Sequence, residues 1–185
     1  MLYRRNLLLE SDLGNTLTPD RGCPRCDTHE QASALFAAAT RVGACITNKS
    51  KKEKDALESY GRNLGLAFQI ADDALDYYST KTIFGKEIGK DFYEGKVTLP
   101  IIFLYQKADL NEKIFLEKTF KKKNRSKTEY NETQNLLEKY NSIDLCFKRA
   151  EHFVTISYNA LNIFKPSREK IILQNLTSYS LERSF

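Results

Sequence analysis

The stretch from Ser50 to Tyr78 constrains the fold of this chain more than any other part of the sequence. It opens with Ser50-Lys51-Lys52-Glu53, in which a serine at the N-cap and a glutamate three residues later have the spacing of a capping box. Apolar residues then recur at helical intervals, and no proline interrupts them. We therefore predict one long helix that has Ser50 as its N-cap and ends near Tyr77 or Tyr78.

Helical patterns continue on both sides of this stretch. From Glu30 to Ile46, a run of alanines with larger apolar residues predicts a helix that packs closely against its neighbours. Residues 79–96 contain three glycines and many charges, which predicts a loop, and Pro100 fits the first turn of the next helix. Further amphipathic helices are predicted near residues 110–122, 128–140, 142–164 and 167–182, with Pro166 between the last two. No segment has the alternating pattern of a strand, so the predicted fold class is all-α.

The length of 185 residues fits a single domain. Residues 1–28 contain two glycines, two prolines and little apolar periodicity, so we expect an extended or disordered leader there. The domain itself is expected to span residues 29–185.

Composition narrows the class of protein. The longest strongly apolar run, residues 97–105, is too short to cross a bilayer, and the N-terminus carries no convincing signal peptide. The four cysteines show no disulfide-framework spacing, which agrees with a reducing compartment. Cys23, Cys26 and His29 have the spacing of half a zinc site, and no second cluster completes it. We therefore expect a cytoplasmic protein without a transmembrane segment.

The net charge of +5 raises the question of a nucleic-acid partner. The densest basic cluster, residues 121–127, lacks interleaved aromatic residues and is flanked by acidic ones. We interpret it as a solvated loop and expect no nucleic-acid partner. A basic, nucleic-acid-binding helical protein is the weaker alternative.

Three carboxylates lie near the end of the long helix. At 100° per residue, Asp72, Asp73 and Asp76 fall within an arc of about 100°, opposite an apolar face that we expect to enter the core. That face comprises Leu64, Ala67, Phe68, Ile70, Ala71, Ala74 and Leu75. The carboxylates repel one another, and the helix macrodipole disfavours anions at this end. They form either a solvated acidic face or a site for Mg²⁺, which binds a few carboxylates together with substrate phosphates.

The residues that follow favour a metal site. Lys86, Lys90 and Lys96 each come directly after a glycine. Glycine lets the backbone bend close to a ligand, and lysine binds phosphate oxygens as a point charge. Carboxylates, a divalent cation and lysines together indicate a diphosphate ligand.

Three elements of this region share one family pattern. They are Gly65-Leu66-Ala67-Phe68-Gln69-Ile70-Ala71-Asp72-Asp73-Ala74-Leu75-Asp76-Tyr77, then Gly85-Lys86 and Gly89-Lys90-Asp91, then Glu94-Gly95-Lys96-Val97-Thr98-Leu99-Pro100. Together they closely resemble the trans-polyprenyl diphosphate synthases, in particular the bacterial octaprenyl-type enzymes, and the similarity extends more weakly from about residue 30 to the C-terminus. The resemblance implies an all-α isoprenoid-synthase helical bundle. It also implies a prenyltransferase of isoprenoid biosynthesis that ionises the C–O bond of an allylic diphosphate and lets the carbocation alkylate isopentenyl diphosphate.

The resemblance also implies roles for individual residues. Asp72, Asp73 and Asp76 would hold Mg²⁺ on the allylic diphosphate, and they are the candidate catalytic and metal-binding residues. The candidate substrate-binding residues are Gln69, Lys86 and Lys96: the lysines would neutralise diphosphate oxygens, and the glutamine would help to position the substrate. Metal and lysine charge would then act where negative charge grows on the leaving group. The resemblance further implies pairing into a homodimer or heterodimer.

The chain departs from the family pattern in two places. Gln31 and Ala32 stand where family members carry a lysine and a threonine, so one cation and one hydroxyl are lost. The first aspartate-rich motif and the basic residues for isopentenyl diphosphate have no counterpart in residues 1–64, so the resemblance covers only the C-terminal half of the family. We therefore expect a truncated or split synthase. The alternative is a catalytically inactive remnant or a helical subunit that pairs with a full-length prenyl synthase.

Overall fold

A computed structural model describes residues 26–78 and 89–182 of the chain, and side chains within residues 32–78 and 89–181. Residues 1–25, which make up most of the predicted leader, lie outside the described residues. Within the described ranges the chain forms helices and no strand, which confirms the all-α prediction. None of these helices is both long and apolar enough to cross a bilayer.

Short connections join the helices within each of the two described ranges. In chain order they are α1 (Cys26–Ile46), α2 (Lys51–Tyr78), α3 (Lys90–Glu94), α4 (Leu99–Lys107), α5 (Leu110–Lys121), α6 (Lys127–Lys139), α7 (Ser142–Ala160), a 3-10 turn (Leu161–Ile163) and α8 (Arg168–Glu182). The capping box predicted at Ser50 is present: the N–H of Glu53 donates to Ser50 Oγ, and the N–H of Ser50 donates to the Glu53 carboxylate. Pro100 lies in the first turn of α4, as predicted.

Two boundaries at helix ends differ from the predictions. α1 spans Cys26–Ile46, so residues 26–28, which were expected to be extended, are helical. α7 ends at Ala160, and the 3-10 turn completes the predicted helical span, as is common at helix C-termini.

The predicted loop 79–96 contains a helix that the sequence pattern did not reveal. α3 is a short helix between Gly89 and Gly95, whose φ angles of 74° and 72° are left-handed. Glycine adopts this conformation without steric cost, so it can end a short helix on both sides. Gly95 closes the helix by donating its N–H to the carbonyls of Asp91 and Phe92.

α2 is the central element of the core. Of its seven predicted core residues, five are buried, while Phe68 and Leu75 are half-buried. The buried residues of its contact with α7 are Leu66, Ala67, Ile70, Ala74, Cys146, Phe147, Ala150 and Phe153. A second cluster joins the end of α2 to α3–α6 and comprises Tyr77, Phe92, Ile101, Leu104, Tyr105, Ala108, Leu116, Phe120, Tyr130 and Leu137. The C-terminal end of α2 is therefore held between two packed groups of helices.

α1 lies so close to α2 that two positions exclude a side chain. A methyl group on Gly61 would lie 2.7 Å from the carbonyl carbon of Phe36, and one on Gly65 would lie 2.8 Å from Cα of Ser33. Thr40 Oγ1 also donates a hydrogen bond of 2.6 Å to the carbonyl of Leu57. Backbone atoms cannot turn aside as a flexible side chain can, so glycine at both positions permits this approach.

Gly61→Ala is expected to destabilise the fold although alanine has the higher helix propensity. The methyl group meets backbone atoms of α1, and overpacking of this kind costs about 1–3 kcal/mol. Gly43→Ala on α1 is the matched control, because nothing lies within 4 Å of the added methyl group. The control is expected to gain about 0.5–1 kcal/mol. Urea unfolding measures both variants, and a stabilised Gly61→Ala chain would contradict the close packing.

Glu112 joins the beginning of α5 to the end of α6. The N–H of Asp109 donates to its carboxylate over 2.9 Å, and the N–H of Glu112 donates to Asp109 Oδ1 over 3.0 Å, which forms a capping box. Lys139 Nζ and the Tyr140 hydroxyl each donate to the same carboxylate over 2.6 Å. The lysine, the tyrosine and the backbone N–H together lower the pKa of Glu112 to about 2.

Glu112 is expected to make stability depend on pH in the acid range. Its pKa in the folded chain lies below the ordinary 4.5, so its contribution is complete above pH 4.5 and is lost as the pH falls toward 2. Over this range the free energy of unfolding of Glu112→Gln should therefore fall less than that of the wild type. Glu132→Gln, which changes an exposed residue of α6, is the control and should keep the wild-type slope. A wild-type slope for Glu112→Gln in urea unfolding would count against the network.

Candidate functional site

The three aspartates predicted to bind metal lie in the last two turns of α2. Asp73 is only 7% exposed, whereas Asp72 and Asp76 are half-buried. The expectation that all three lie opposite the core is therefore wrong for Asp73. The segment around α3 reaches this end of α2 and brings Asp91 and Lys96 within electrostatic range of Asp73.

Burial and neighbouring charge both disfavour the ionised forms of Asp73 and Asp76. Burial, followed by repulsion from Asp91, Asp72 and Asp76, raises the pKa of Asp73 well above its ordinary value. Burial also raises the pKa of Asp76 to about 6, although the hydrogen bond from the Asp91 N–H opposes the shift. A cation among these carboxylates would relieve the repulsion.

α3 closes the C-terminal end of α2. The N–H of Gly89 donates to the carbonyl of Asp76 over 3.0 Å, and the N–H of Asp91 donates to the Asp76 carboxylate over 2.9 Å. A methyl group on Gly89 would lie 2.8 Å from the ring of Tyr130, so this turn is also packed tightly on α6. The turn therefore holds Asp91 against Asp76.

Lys96 brings positive charge to the same region. Its ammonium donates to Asp91 Oδ1 over 2.8 Å and pairs with Glu94 Oε2 over 2.7 Å. These hydrogen bonds to the two carboxylates raise the pKa of Lys96 above its ordinary value. The side chain is 36% exposed, so a dissolved anion can reach it. Lys96 and the aspartates of α2 therefore border one region, with Asp91 between them.

Of the other two predicted substrate-binding residues, Gln69 is described by the structure and Lys86 is not. Gln69 is half-buried on α2, one turn before Asp73, so the two residues share a side of the helix. Lys86 lies outside the described residues, and its role stays a prediction. Gln31, which stands in the place of the family lysine, belongs to α1.

Asp91 was not among the predicted site residues, although it contacts both Asp76 and Lys96. The available signal was its place in the Gly-Lys-Asp element directly before the Glu-Gly-Lys element. The contact itself depends on the turn at Gly89, which no periodicity indicates.

The basic cluster that was interpreted as a solvated loop makes contacts within the fold. The guanidinium of Arg125 donates to the carbonyls of Tyr93 over 3.2 Å and Phe120 over 2.7 Å, and Lys122 pairs with Glu129. A methyl group on Gly95 would lie 2.6 Å from Arg125 Cζ, so this arginine packs directly on the turn before Lys96. Arg125 thus supports the end of α3.

The described residues do not complete a metal site by themselves. Among the side chains that the structure describes, within residues 32–78 and 89–181, no three from histidine, cysteine, aspartate or glutamate converge as a set of ligands for one ion. The donors at the end of α2 nevertheless suit Mg²⁺, which keeps several waters and uses one or two carboxylates together with phosphate oxygens. The donor set fits a metal site that a phosphate ligand completes.

Comparison with known proteins assigns this arrangement to a family. The sequence model of the family described as Polyprenyl synthetase matches residues 27–137, which include Asp72, Asp73, Asp76 and Lys96. The chain belongs to the polyprenyl synthetase family. The resemblance inferred from the residues between Gly65 and Pro100 is thereby confirmed.

The curated relatives of this polyprenyl synthetase family member include long-chain synthases. The octaprenyl diphosphate synthase of Haemophilus influenzae is 27% identical over 157 residues, which are 85% of this chain and 47% of that protein. The all-trans-nonaprenyl-diphosphate synthase (geranyl-diphosphate specific) of Rhodobacter capsulatus is 33% identical over 155 residues, which are 84% of this chain and 47% of that protein. The chain therefore spans about half the length of the curated relatives it matches.

Solved structures of the family have the same arrangement of helices. A decaprenyl diphosphate synthase from Rhodobacter capsulatus superposes with a TM-score of 0.78 at 31% identity, over 85% of this chain and 48% of that one. A polyprenyl synthase from Caulobacter crescentus, complexed with calcium and isoprenyl diphosphate, gives a TM-score of 0.78 at 29% identity, over 100% of this chain and 58% of that one. The predicted partial isoprenoid-synthase bundle is confirmed.

Proposed function

We propose that this chain provides the allylic-diphosphate side of a polyprenyl diphosphate synthase. Such an enzyme is a prenyltransferase that condenses an allylic diphosphate with isopentenyl diphosphate. The observation that carries the proposal is the link between the α2 aspartates and Lys96, which runs through Asp91 over two hydrogen bonds of 2.9 and 2.8 Å. Family membership and the ligands of the Caulobacter crescentus structure support it. The cytoplasmic location predicted from the sequence belongs to the same proposal.

The aspartates would hold Mg²⁺ together with the substrate. Asp72 and Asp76 are half-buried and accessible, and Asp73 adds a buried carboxyl group that a bound cation would help to ionise. When bound, Mg²⁺ supplies positive charge to the diphosphate leaving group. A cation at this place would also relieve the repulsion among the three carboxylates.

Lys96 would contact the diphosphate directly. Its ammonium can donate up to three hydrogen bonds, and its partial exposure leaves it open to an anion. Electrostatic stabilisation of this kind acts on the charge that develops as the allylic C–O bond breaks, and a partly buried site strengthens it. Gln69 would orient the substrate from the preceding turn of α2, and Lys86 would add a second cation.

Titration calorimetry with inorganic pyrophosphate, with and without Mg²⁺, tests the binding role. The wild-type chain is expected to bind pyrophosphate only when Mg²⁺ is present. Asp72→Asn and Asp73→Asn should each lower the affinity by about tenfold or more, because a hydrogen bond or ligand contact that involves a charge contributes about 1.5–3 kcal/mol. An allylic diphosphate should give the same pattern.

A melting curve of Asp73→Asn separates binding from folding. Asparagine replaces a buried carboxyl group whose ionised form is disfavoured, so the Tm should equal or exceed that of the wild type while pyrophosphate binding is weakened. Glu132→Gln on α6 is the control for removal of one carboxylate and should bind as the wild type does. Wild-type affinity in both aspartate variants would contradict the proposal.

A second candidate is a helical subunit that pairs with another prenyl synthase and has no turnover of its own. Exposed apolar side chains on α1 and α8 favour it: Leu35, Val42, Ile46, Ile171, Ile172, Leu176 and Tyr179. Exposed apolar patches commonly mark interaction surfaces. The pairing into a homodimer or heterodimer that the sequence suggested belongs to this candidate as well as to the first.

Turnover assays separate the two candidates. The purified chain is supplied with Mg²⁺, an allylic primer and isopentenyl diphosphate, alone and with a full-length polyprenyl synthase. Steady turnover by the chain alone would reject the non-catalytic subunit. Co-elution with the full-length synthase in gel filtration, without turnover by the chain, would support it.

A further inference from the structure

Asp91 connects the aspartate helix to Lys96. Its N–H donates to the Asp76 carboxylate over 2.9 Å, and its own carboxylate accepts from the Lys96 ammonium over 2.8 Å. Its carbonyl also accepts from the N–H of Lys96 over 2.8 Å. Asp91 therefore fixes the positions of both the Lys96 backbone and the Lys96 ammonium relative to Asp76.

We propose that Asp91 is a positioning residue for the diphosphate, because it holds the Lys96 ammonium in a fixed place beside the α2 aspartates. A single diphosphate can then contact the lysine and the metal at once. A free lysine side chain samples many rotamers, so an ammonium held in advance loses less entropy when the ligand binds. This inference rests on the proposed function and adds a residue that acts on the ligand only through Lys96.

Glu94 is the internal comparison for Asp91. Its carboxylate also pairs with Lys96, but it is 42% exposed, whereas the Asp91 side chain is 16% exposed. Glu94 further pairs with Lys90, whose side chain is 65% exposed, over 3.7 Å. Exposed ion pairs of this kind contribute little, so Glu94 is expected to restrain Lys96 far less than Asp91 does.

The carboxylate of Asp91 would position the Lys96 ammonium, whereas its backbone only supports the turn. The Asp91 carboxylate disfavours the ionised forms of Asp73 and Asp76, and it also accepts the hydrogen bond from the Lys96 ammonium. An asparagine would keep the hydrogen bonds that the Asp91 backbone makes to Asp76 and Lys96. Asp91→Asn therefore removes the negative charge that holds the ammonium and leaves the backbone support in place.

A double-mutant cycle tests whether Asp91 acts through Lys96. The chains are the wild type, Asp91→Asn, Lys96→Gln and the double variant, each titrated with inorganic pyrophosphate in Mg²⁺. Asp91→Asn alone should weaken binding about tenfold, as expected for loss of a charge-assisted hydrogen bond. In the Lys96→Gln background the same change should weaken binding less than about twofold, because no ammonium is left to position. The matched control Glu94→Gln should stay within about threefold of the wild type.

Each outcome decides the inference. Wild-type affinity in Asp91→Asn, additive effects in the cycle, or an equal loss in Glu94→Gln would overturn it while leaving the proposed function intact. A wild-type chain that does not bind pyrophosphate in Mg²⁺ would overturn the proposed function and this inference with it. If melting curves show that Asp91→Asn does not fold, Asp91→Glu takes its place: it shifts the carboxylate by one methylene group and should weaken binding about threefold. Wild-type affinity in Asp91→Glu would then overturn the inference.

Discussion

Two backbone hydrogen bonds at the end of α2 determine what the candidate site can do. The N–H groups of Gly89 and Asp91 reach the carbonyl and the carboxylate of Asp76, and they fasten α3 to the aspartate helix. Together with the packing of Phe92 against the end of α2, they fix the charge of Lys96 relative to the aspartates. Glycine at position 89 permits the first of these contacts for two reasons. Its backbone is left-handed, which glycine adopts without steric cost, and a side chain there would collide with Tyr130.

The balance of charge at this end of α2 is unfavourable in the free chain. Asp72, Asp73 and Asp76 lie near the C-terminus of α2, which already carries partial negative charge. Asp91 adds to the repulsion on Asp73, and Lys96 opposes it. Such an arrangement persists because the core on both sides holds it: α7 packs along α2, and the cluster around Phe92 anchors α3. The packing of the fold therefore maintains this acidic region, which we propose binds a cation and its diphosphate.

Local sequence rules predicted the parts of the fold that depend on neighbouring residues. The capping box at Ser50, the end of α2 near Tyr78 and the place of Pro100 all rest on contacts within one or two turns, and the structure confirms them. α3 could not be read in this way, because a helix of five residues shows no periodicity and depends on its two flanking glycines. The burial of Asp73 likewise depends on contacts with other parts of the chain, which a helical wheel of α2 does not contain.

The sequence predicted which residues form the candidate site better than it predicted how they are arranged. The aspartates, Lys96 and the family were inferred from the order of residues, and the match to the polyprenyl synthetase family confirms the last of these. The role of Asp91 needed the three-dimensional contact between α2 and α3. The roles of Gln69 and Lys86 stay predictions. The chain matches only about half the length of its curated relatives.

The central claim is that the α2 aspartates and Lys96 bind one metal–diphosphate unit. Paramagnetic relaxation by Mn²⁺, added in place of Mg²⁺ to the isotope-labelled chain, tests it most directly. We expect the amide signals of Asp72, Asp73, Asp76 and Lys96 to broaden before those of other residues as Mn²⁺ is added. Addition of pyrophosphate should confine the broadening further to these residues and their neighbours. Broadening spread over exposed acidic residues such as Glu132, and unchanged by pyrophosphate, would contradict the account.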